Sequence, residues 1–370
     1  MITMVGKYSY VEIFAERVEA TALEQIEALC NSVVSDRQRV RIMPDCHAGA
    51  GCTIGTTMTI GDKVVPNMVG VDIGCGMLVC ELGKIDIDFA RLDETIKRVV
   101  PCGFRIHDKA IASHSEVSNL HCYNSLINKT HNQYGDRFNR SLGTLGGGNH
   151  FIEIDEDTDG NKYLIIHSGS RNLGKQVADY YQSLAVSGCE GLDIPSDLCY
   201  LTGNVMADYL HDMKICQRYA FLNRAQIVCS VTAEMNYNII GYWTTIHNYI
   251  DTENMILRKG AVSAQCGERL LIPLNMRDGS IIAIGKGNPE WNYSAPHGAG
   301  RTMSRSQAKK TIGLTEFKDS MDGIYTTCVD NSTIDESAFA YKPAQEIIAA
   351  IADTVEVEKI IKPIYNFKAM

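Results

Sequence analysis

The order of the predicted elements and the size of the chain indicate an α+β protein. Predicted strands and helices alternate irregularly, and several strands follow one another directly. This order favours a mixed arrangement of sheets and helices over a regular doubly wound βαβ sheet. The chain has 370 residues, of which 45% are hydrophobic, so it can bury a large core. Because single cores usually stop growing at about 250–300 residues, we expect one large domain or two closely joined lobes.

The first hundred residues are predicted to be mainly strands. Apolar residues at helical spacing predict a helix that Thr21 caps and that continues to about Ser35, and a second amphipathic helix is predicted over 88–99. Strands are predicted at 8–14, 40–43, 54–60, 63–65 and 77–82.

The rest of the chain mixes both kinds of element. A helical stretch is predicted over about 172–235, and we expect its long second part to be broken at least once. Ser304 can cap a short helix through 310, and Pro343 is tolerated in the first turn of a helix over 340–353. Further strands are predicted at 151–154, 163–166, 243–250, 270–274, 281–284 and 324–329.

Composition and charge exclude several classes of protein. With a net charge of −9 and a pI near 5.6, the protein will not bind nucleic acid through overall charge, so any such site must be a local basic patch. Thirteen cysteines without a CxxC pair indicate a reducing compartment. The N-terminus lacks the apolar core of a signal peptide, and no apolar run approaches the roughly 18 residues of a membrane span. We therefore expect a soluble, cytoplasmic protein with no membrane partner.

The glycine-rich segment VGVDIGCGM at 69–77 is the first candidate site. Its acid, Asp72, and its thiol, Cys75, are three residues apart and are surrounded by glycines, which allow positive φ and close approach of other groups. Thiolate and carboxylate together suit a borderline divalent metal better than Mg²⁺ or Ca²⁺, which prefer oxygen ligands. The alternative is a glycine-rich turn with a buried cysteine.

Five histidines lie in glycine-rich segments or at predicted strand ends. The three glycines before Asn149 and His150 can present backbone N–H groups to a phosphate, but the run lacks the ending of a Walker A loop and no helix follows it as in a Rossmann fingerprint. Asp45 and His47, taken alone at a strand end, are more typical of local hydrogen-bonding residues than of catalysts. The five are His47, His150, His167, His247 and His297.

These histidines supply enough ligands, with Asp72 and Cys75, for two metal ions. Two ions about 3.5–4 Å apart can clamp a phosphoryl group. The residue types therefore predict a metal-dependent enzyme that acts on phosphate esters, and they suit Zn²⁺ as well as Mn²⁺. Four other histidines in a polar, irregular region are interpreted as solvated loop residues: His107, His114, His121 and His131.

Six separated motifs resemble those of the RtcB family of RNA-splicing ligases. They follow that family's order through nearly the whole chain, and the Phe-Lys pair near the C-terminus agrees with them. The resemblance implies a single large, mixed, multi-layer domain of the RtcB type over residues 1–370, with the helical stretch inside it. The motifs are MPDCHAG at 43–49, VDIGCGM at 71–77, GGGNHFIE at 146–153, HSGSR at 167–171, IHNY at 246–249 and HGAGRTMSR at 297–305.

The resemblance also implies an activity. Members of this family are GTP- and Mn²⁺-dependent ligases that join an RNA 3′-phosphate or 2′,3′-cyclic phosphate to a 5′-hydroxyl in tRNA splicing or RNA repair. His297 matches the histidine that becomes guanylylated. Two Mn²⁺ ions, bridged by the thiolate, would be held by Asp72, Cys75, His150, His167 and His247. The guanylate-binding positions match Asn149, Glu153, Ser280, His297, Gly298, Ala299, Gly300 and Lys368.

The implied partners are RNA and GTP, and the sequence identifies no activating protein. Arg171, Arg301 and Arg305 adjoin the predicted ligands, so we expect them to hold RNA phosphates. One alternative is a metal-dependent phosphoesterase or nucleotidyltransferase that uses the same site without ligation. A second alternative is a thiol-based metal-binding or redox protein, which would not need His297 and its glycine loop.

Overall fold

The computed structural model describes residues 1–128 and 134–368, and it confirms the α+β class. The strands in this part of the chain are β1 (Ile2–Val5), β2 (Tyr10–Ile13), β3 (Val40–His47), β4 (Ile54–Thr59), β5 (Gly76–Gly83), β6 (Phe151–Glu156), β7 (Lys162–Ser168), β8 (Gly241–Ile246), β9 (Asn248–Asp251), β10 (Ile256–Lys259), β11 (Ala261–Ser263), β12 (Arg269–Asn275), β13 (Gly279–Gly285), β14 (Ser294–Pro296) and β15 (Val355–Lys368). The helices are α1 (Ala20–Cys30), α2 (Pro66–Val69), α3 (Phe89–Val99), α4 (Tyr123–Asn128), α5 (Tyr134–Ser141), α6 (Arg171–Gly188), α7 (Gly203–Met235), α8 (Arg305–Thr311), α9 (Leu314–Ser320) and α10 (Ala344–Ala350).

Two large sheets form the frame. The first has the order β1-β2-β3-β4-β10-β9 and is antiparallel except for the parallel pair of β2 and β3. The second has the order β12-β13-β15-β6-β7-β5-β8 and is antiparallel throughout. The consecutive strands β8 and β9 belong to different sheets, and His247 is the single residue between them. This residue therefore lies where the chain crosses from one sheet to the other.

Both faces of the second sheet are buried at its centre, as β7 illustrates. Leu164 and Ile166 join the cluster that contains α3 and the end of α7, whereas Tyr163 and Ile165 join a cluster on the opposite face. This is the two-residue period of a strand. Because neither face of β7 is exposed, its sequence is a continuous apolar run from Tyr163 to Ile166.

Helix α7 connects the cores of the two sheets. Its first half buries Tyr209 and Met213 in the core of the first sheet, and its second half buries Ile227 and Val231 against the second sheet. The predicted break in this helix is wrong. No proline or glycine follows its first residue, and its 33 residues run without interruption. The predicted helical stretch is occupied by α6 and α7, with residues 189–202 between them.

Four local predictions also differ from the structure. Thr21 lies inside α1, which begins at Ala20 and ends at Cys30, so it does not cap that helix. No strand forms at 63–65, where Val64 makes only an isolated bridge to Leu201, or at 324–329. The helix predicted from 340 begins at Ala344, because Pro343 lies at its N-cap in an extended conformation.

The sequence analysis did not identify β15, which pairs with both β13 and β6. Its charged residues and Pro363, where the register to β6 shifts, mask the alternation of the strand. In the described ranges, no helix is both long and apolar enough to cross a bilayer.

Candidate active site

The loop between α2 and β5 carries Asp72 and Cys75. Gly70 and Gly74 have φ values of 87° and 72°, which favour glycine. A Cβ at Gly74 would lie 3.0 Å from the Cα of Gln217 on α7. The glycines therefore let the loop turn tightly while it packs against the central helix.

Three of the predicted histidine ligands lie near the same end of neighbouring strands. His150 immediately precedes β6, His167 lies near the end of β7, and His247 follows β8. Because β7 pairs with β6 and β5, and β5 pairs with β8, these residues meet beside the loop that precedes β5.

The side chains of this group are within hydrogen-bonding distance of one another. The Sγ of Cys75 lies 3.4 Å from Nε2 of His150 and 3.2 Å from Nε2 of His167. Nε2 of His150 is also 3.1 Å from Oδ2 of Asp72. The rings of His167 and His247 have centroids 5.2 Å apart. The structure thus brings together all five residues that the sequence predicted as metal ligands.

The five residues form two overlapping groups of candidate ligands, and Cys75 belongs to both. One group contains Cys75, His167 and His247, and the other contains Asp72, Cys75 and His150. In each group the ligand atoms lie within 4.8 Å of one another. A sulfur atom common to two groups is the arrangement that a bridging thiolate requires.

Backbone carbonyl groups orient two of the histidine rings. Nδ1 of His150 lies 2.8 Å from the carbonyl oxygen of Leu145, and Nδ1 of His167 lies 3.2 Å from that of Asn149. Because a carbonyl only accepts hydrogen bonds, Nδ1 is the donor in both rings. In the neutral tautomer that this bond selects, the lone pair of each ring is on Nε2, the atom that faces Cys75.

Burial and neighbouring charges set the protonation of the ligands. Burial lowers the pKa of His167 and of His247 well below the ordinary value, and neighbouring histidines lower it further, so both rings are neutral at pH 7. Burial raises the pKa of Cys75 well above its ordinary value, and the carboxylate of Asp72 raises it further. Burial also raises the pKa of Asp72, but its contacts with His150 and Cys75 and the positive charge of Arg171 together outweigh this effect, and the net pKa is below its ordinary value.

These protonation states fit a divalent metal centre. Neutral imidazoles and an ionised carboxylate are ready to act as ligands. The thiol of Cys75, in contrast, would lose its proton only beside a strong positive charge. The donor set of one thiolate, one carboxylate and three imidazoles matches a borderline metal ion.

Two polar residues of α7 support this site from behind, and the sequence analysis did not single them out. The Oδ1 of Asn223 accepts hydrogen bonds from the backbone amides of Gly143 and Thr144, at 2.9 and 3.1 Å. Arg224 donates to the carbonyl groups of Gly74 and Ser168, at 2.9 and 2.7 Å. Both side chains are buried. The adjacent Asn-Arg pair on the buried side of a largely apolar helical stretch was the signal that could have identified them.

His297 lies beside the candidate metal ligands and is held by Asp45. Its ring centroid is 4.9 Å from that of His247. Oδ2 of Asp45 lies 2.6 Å from Nδ1 of His297 and accepts its backbone N–H at 3.2 Å. A carboxylate oxygen accepts hydrogen bonds, so Nδ1 is the donor, and the tautomer that this contact selects has its lone pair on Nε2. Asp45 is fully buried, and only the motif at 43–49 could have indicated its importance.

The loop after His297 fits closely against the strand that carries Asp45. Gly300 has a φ of 73°, and a Cβ at this position would lie 2.5 Å from the carbonyl oxygen of Asp45. A larger residue would push the loop away. This close contact fixes the imidazole of His297 relative to Asp45.

A cavity of about 630 Å³ opens beside His297, within the range of about 300–1,000 Å³ that is typical of small-molecule sites. Nζ of Lys368 lies at its wall, where it donates to the carbonyl oxygen of Asn149 at 3.1 Å and pairs with Glu336 at 2.8 Å. The predicted guanylate positions that line the cavity are Asn149, Glu153, His297, Gly298, Ala299, Gly300 and Lys368.

Ser280 is the one predicted guanylate position that the structure does not bring to the cavity wall. It is buried in β13 opposite Pro273, which does line the cavity. Among the described residues its Oγ has no hydrogen-bond partner. Its hydroxyl therefore lies behind the wall, with one polar atom unsatisfied.

Two buried carboxylic acids lie at the base of this region. Asn366 donates a hydrogen bond to Glu153, and Asp155 follows two residues later on the same face of β6. Burial raises the pKa of Glu153 to about 7. Burial and the neighbouring Glu153 raise the pKa of Asp155 well above its ordinary value. At neutral pH this pair therefore retains at least one proton.

The three arginines expected near the ligands differ in their availability. Nη1 of Arg171 lies 3.4 Å from Nδ1 of His150, beside the metal ligands. Arg301 donates to the backbone of Asp335 at 2.6 Å, and Arg305 pairs with both Asp335 and Glu336. Much of the charge of Arg301 and Arg305 is therefore offset within the protein.

The four histidines interpreted as solvated loop residues have different environments. His121 is exposed and His107 is partly buried, whereas His114 is buried, so the interpretation is wrong for His114. His131 lies outside the described residues.

Comparisons with known proteins agree over most of the chain. The family model described as tRNA-splicing ligase RtcB matches residues 31–369. The RNA-splicing ligase RtcB of Escherichia coli strain K12 is 34% identical over 359 residues, which cover 86% of this chain and 87% of that protein. The RNA-splicing ligase RtcB2 of an Escherichia coli strain is 27% identical over 361 residues, covering 90% and 88%. The tRNA-splicing ligase RtcB of Aeropyrum pernix is 28% identical over 414 residues, covering 86% and 85%.

Proposed function

The chain belongs to the RtcB family of tRNA-splicing ligases, and from that premise we propose how its site works. It is an RNA ligase of tRNA splicing or RNA repair. The reaction that we propose joins an RNA 3′-phosphate or 2′,3′-cyclic phosphate to a 5′-hydroxyl, with GTP as the energy source and two Mn²⁺ ions as cofactors.

The two overlapping ligand groups would hold the metal ions, with Cys75 as the shared ligand. The neutral rings of His167 and His247 and the ionised Asp72 support this assignment, since none of them has to lose a proton first. When bound, the ions would neutralise charge on the phosphate oxygens and on the leaving pyrophosphate. The ligand types suit Zn²⁺ equally, so the choice of Mn²⁺ comes from the family.

His297 is the proposed nucleophile, and its contact with Asp45 is the observation that carries the proposal. The carboxylate holds Nδ1–H at 2.6 Å, so the free lone pair is on Nε2. In the proposed step, Nε2 attacks the α-phosphorus of GTP, a P–N bond forms, and the bond to pyrophosphate breaks. A protein that only stores metal has no need of an imidazole oriented in this way.

The cavity beside His297 is the proposed site for the guanylate. Lys368 supplies a positive charge at its wall, and Glu336 and the carbonyl of Asn149 hold that lysine in place. Glu153 offers a carboxylate that, once ionised, can accept hydrogen bonds from the N1–H and amino groups of guanine. The Glu153 carboxylate therefore favours guanine over adenine, because adenine does not present an N1–H beside an amino group.

In the second half of the proposed reaction, the guanylyl group passes from His297 to the RNA 3′-phosphate. A 2′,3′-cyclic phosphate is first opened by water, which breaks the bond from phosphorus to the 2′-oxygen and leaves a 3′-phosphate. The P–N bond breaks as a phosphoanhydride bond forms. The 5′-hydroxyl of the other RNA end then attacks the activated phosphate, and GMP leaves. Arg171, beside the metal ligands, is positioned to contact an RNA phosphate.

We place this activity in the cytoplasm. All thirteen cysteines are unpaired, and eleven of them are buried. Free thiols in this number are expected where glutathione and thioredoxin keep them reduced.

Labelled GTP tests the proposal directly. With Mn²⁺ and GTP labelled at the α-phosphate, the parent protein should carry the label through a denaturing gel, in a bond that is labile to acid and stable to alkali. His297→Ala should carry none and should keep its metals, since this residue is not a proposed ligand. His107→Ala, which alters a partly buried histidine bonded to the Gly143 carbonyl, serves as the matched control and should label normally.

Two outcomes would contradict the proposed mechanism: labelled His297→Ala, or label that maps to a lysine. A second assay separates ligation from hydrolysis by following RNA with a 3′-phosphate and a 5′-hydroxyl. Joined ends support the ligase, whereas ends that are only trimmed would favour the phosphoesterase alternative.

A further inference from the structure

A second cluster of metal-binding side chains lies on the surface, where α7 meets the turn before α4. Asp208 and His211 are three residues apart on α7 and share one face of the helix. His121 faces them from the turn, and Asp212 lies beneath. None of these residues belongs to the active site described above.

The donor atoms of this cluster are already close together. Nε2 of His121 lies 3.7 Å from Oδ1 of Asp208, and Nδ1 of His211 lies 3.2 Å from Oδ1 of Asp212. The two imidazole rings have centroids 4.6 Å apart, and the ligand atoms of His121, His211 and Asp212 lie within 4.8 Å of one another. Tetrahedral ligands about 2.0–2.2 Å from Zn²⁺ are roughly 3.4 Å apart, so small side-chain rotations would complete the geometry.

Buried contacts fix the backbone of this cluster. Asp212 is fully buried. Its carboxylate accepts the backbone amides of His121 and Cys122, at 2.7 and 3.0 Å, and the hydroxyl of Tyr181 at 2.7 Å. These bonds hold the turn against α7, so His121 is positioned before any ion binds. The cluster therefore resembles a preorganised site more than a chance meeting of flexible side chains.

The charge of the cluster favours a cation. Asp208 and Asp212 supply two carboxylates, and among the salt bridges of the described part of the chain each is paired only with a histidine, not with a lysine or arginine. A set of two imidazoles and two carboxylates suits a borderline divalent metal. We propose that His121, Asp208, His211 and Asp212 form a second metal site, for Zn²⁺ or a similar ion, that clamps the segment before α4 to α7.

Zinc counting tests this site. After incubation with ZnCl₂ and removal of free ion, elemental analysis should find one fewer bound zinc in His211→Ala than in the parent, and the same loss in His121→Ala. Lys214→Ala, an exposed residue on the next turn of α7, is the matched control and should lose none. Both histidine variants should still form the guanylate adduct, because neither residue touches the catalytic centre. Zinc should also raise the thermal midpoint of the parent more than that of His211→Ala.

An equal zinc count in the parent and in both histidine variants would overturn the second site. Cys75→Ala separates this result from a failure of the catalytic assignment. That variant should lose the ions of the active site and keep the surface zinc. If Cys75→Ala keeps all its zinc while His211→Ala loses one ion, the catalytic assignment fails and the surface site stands.

An independent observation concerns Phe104, whose side chain is 99% exposed. The amide of the preceding Gly103 donates to the carbonyl oxygen of Gly146 at 2.7 Å. Gly146 begins the glycine run that ends at Asn149 and His150. An uncovered aromatic ring therefore lies next to the segment that carries a metal ligand.

The surroundings of this ring suit a nucleic-acid base. Arg105, the next residue, is exposed. The guanidinium of Arg171 packs so closely on Gly146 that a Cβ there would lie 2.0 Å from it. Aromatic rings combined with basic side chains stack unpaired bases of single-stranded nucleic acid. Building on the proposed function, we infer that Phe104 stacks on an unpaired base of the RNA end held at the metal centre.

Variants of Phe104 test the stacking contact. Phe104→Ala should raise the RNA KM of ligation by roughly 5–150-fold, the range expected for loss of one stacked base, whereas Phe104→Trp should restore the parent value. Guanylylation by GTP alone should be unchanged in both. Tyr10→Ala is the matched control, because Tyr10 is an exposed aromatic residue at the end of the first sheet opposite Asp45. A parent-like KM in Phe104→Ala would overturn the contact, and absence of any adduct in the parent would instead overturn the proposed function.

Discussion

The contact between Asp45 and His297 leads to the sharpest prediction. Asp45→Asn keeps the size of the side chain and removes its charge. The amide can still accept one hydrogen bond from Nδ1–H through its oxygen, but the bond is no longer charge-assisted. If the amide instead turns its NH₂ group toward the ring, Nδ1 becomes the acceptor and the proton moves to Nε2, where it blocks the nucleophile.

The expected loss follows from the strength of the bond that is weakened. A hydrogen bond to a charged group contributes about 1.5–3 kcal/mol, and each 1.36 kcal/mol corresponds to a tenfold change in rate. The rate of adduct formation should therefore fall by about 10–150-fold. Metal content should not change, since the Asp45 side chain contacts His297 and none of the proposed ligands.

The assay is single-turnover transfer of label from GTP to the protein, with bound metal measured on the same preparation. Asp157→Asn is the matched control. Asp157 is also a buried, multiply hydrogen-bonded carboxylate, but it follows the far end of β6 from His150. The reasoning is refuted if Asp45→Asn forms the adduct at the parent rate with full metal content, because Nε2 would then need no carboxylate to orient it.

Three further predictions concern the metal ions, the nucleotide and the supporting helix. Cys75→Ala should lose both bound ions and Asp72→Ala mainly one, because only the thiolate belongs to both ligand groups; elemental analysis that finds unchanged metal in Cys75→Ala would contradict the bridging role. Because the pKa of Glu153 is raised by burial to about 7, its carboxylate ionises as the pH rises through that value, so GTP affinity measured by calorimetry should increase across this range in the parent. Glu153→Gln should lack this increase, and an equal pH dependence in both proteins would count against the contact with guanine. Asn223→Ala leaves the buried amides of Gly143 and Thr144 without an acceptor, so the free energy of unfolding in urea should fall by about 2–4 kcal/mol; an unchanged midpoint would mean that these amides find other partners.

The local sequence was sufficient to predict elements that carry their own signals. The Asp88 and Ser304 side chains accept from backbone amides three residues later, as capping predicts. Prediction from the sequence pattern failed where contacts between distant segments determine the secondary structure. Helix α7 changes its buried face between two cores, which looks like a break in a single amphipathic pattern. The strand β15 contains charged residues and a proline, and it is identified as a strand only by its pairing with β13 and β6.

The same distinction applies to the site. Asp72, Cys75 and the histidines could be nominated from residue type and from the glycines around them. Asp45 could not be assigned a role, because the residue that it orients is more than 250 positions away in the chain. Asn223 and Arg224 bind backbone carbonyl and amide groups of the loops. Every residue type has these groups, so the loop sequences do not indicate the contacts.

The position of His247 between β8 and β9 has a consequence for how the enzyme is made. A ribosome releases this chain from the N-terminus, so β1–β4 emerge long before β9 and β10, which complete the same sheet. His247 immediately precedes β9, with which the chain begins to complete the first sheet, and His297 is synthesised later still. Between the synthesis of His167 and that of His247, a nascent chain thus carries four of the five proposed metal ligands without a working centre. Activity therefore requires that both sheets are complete, and under the proposed function no early translation product would react with GTP.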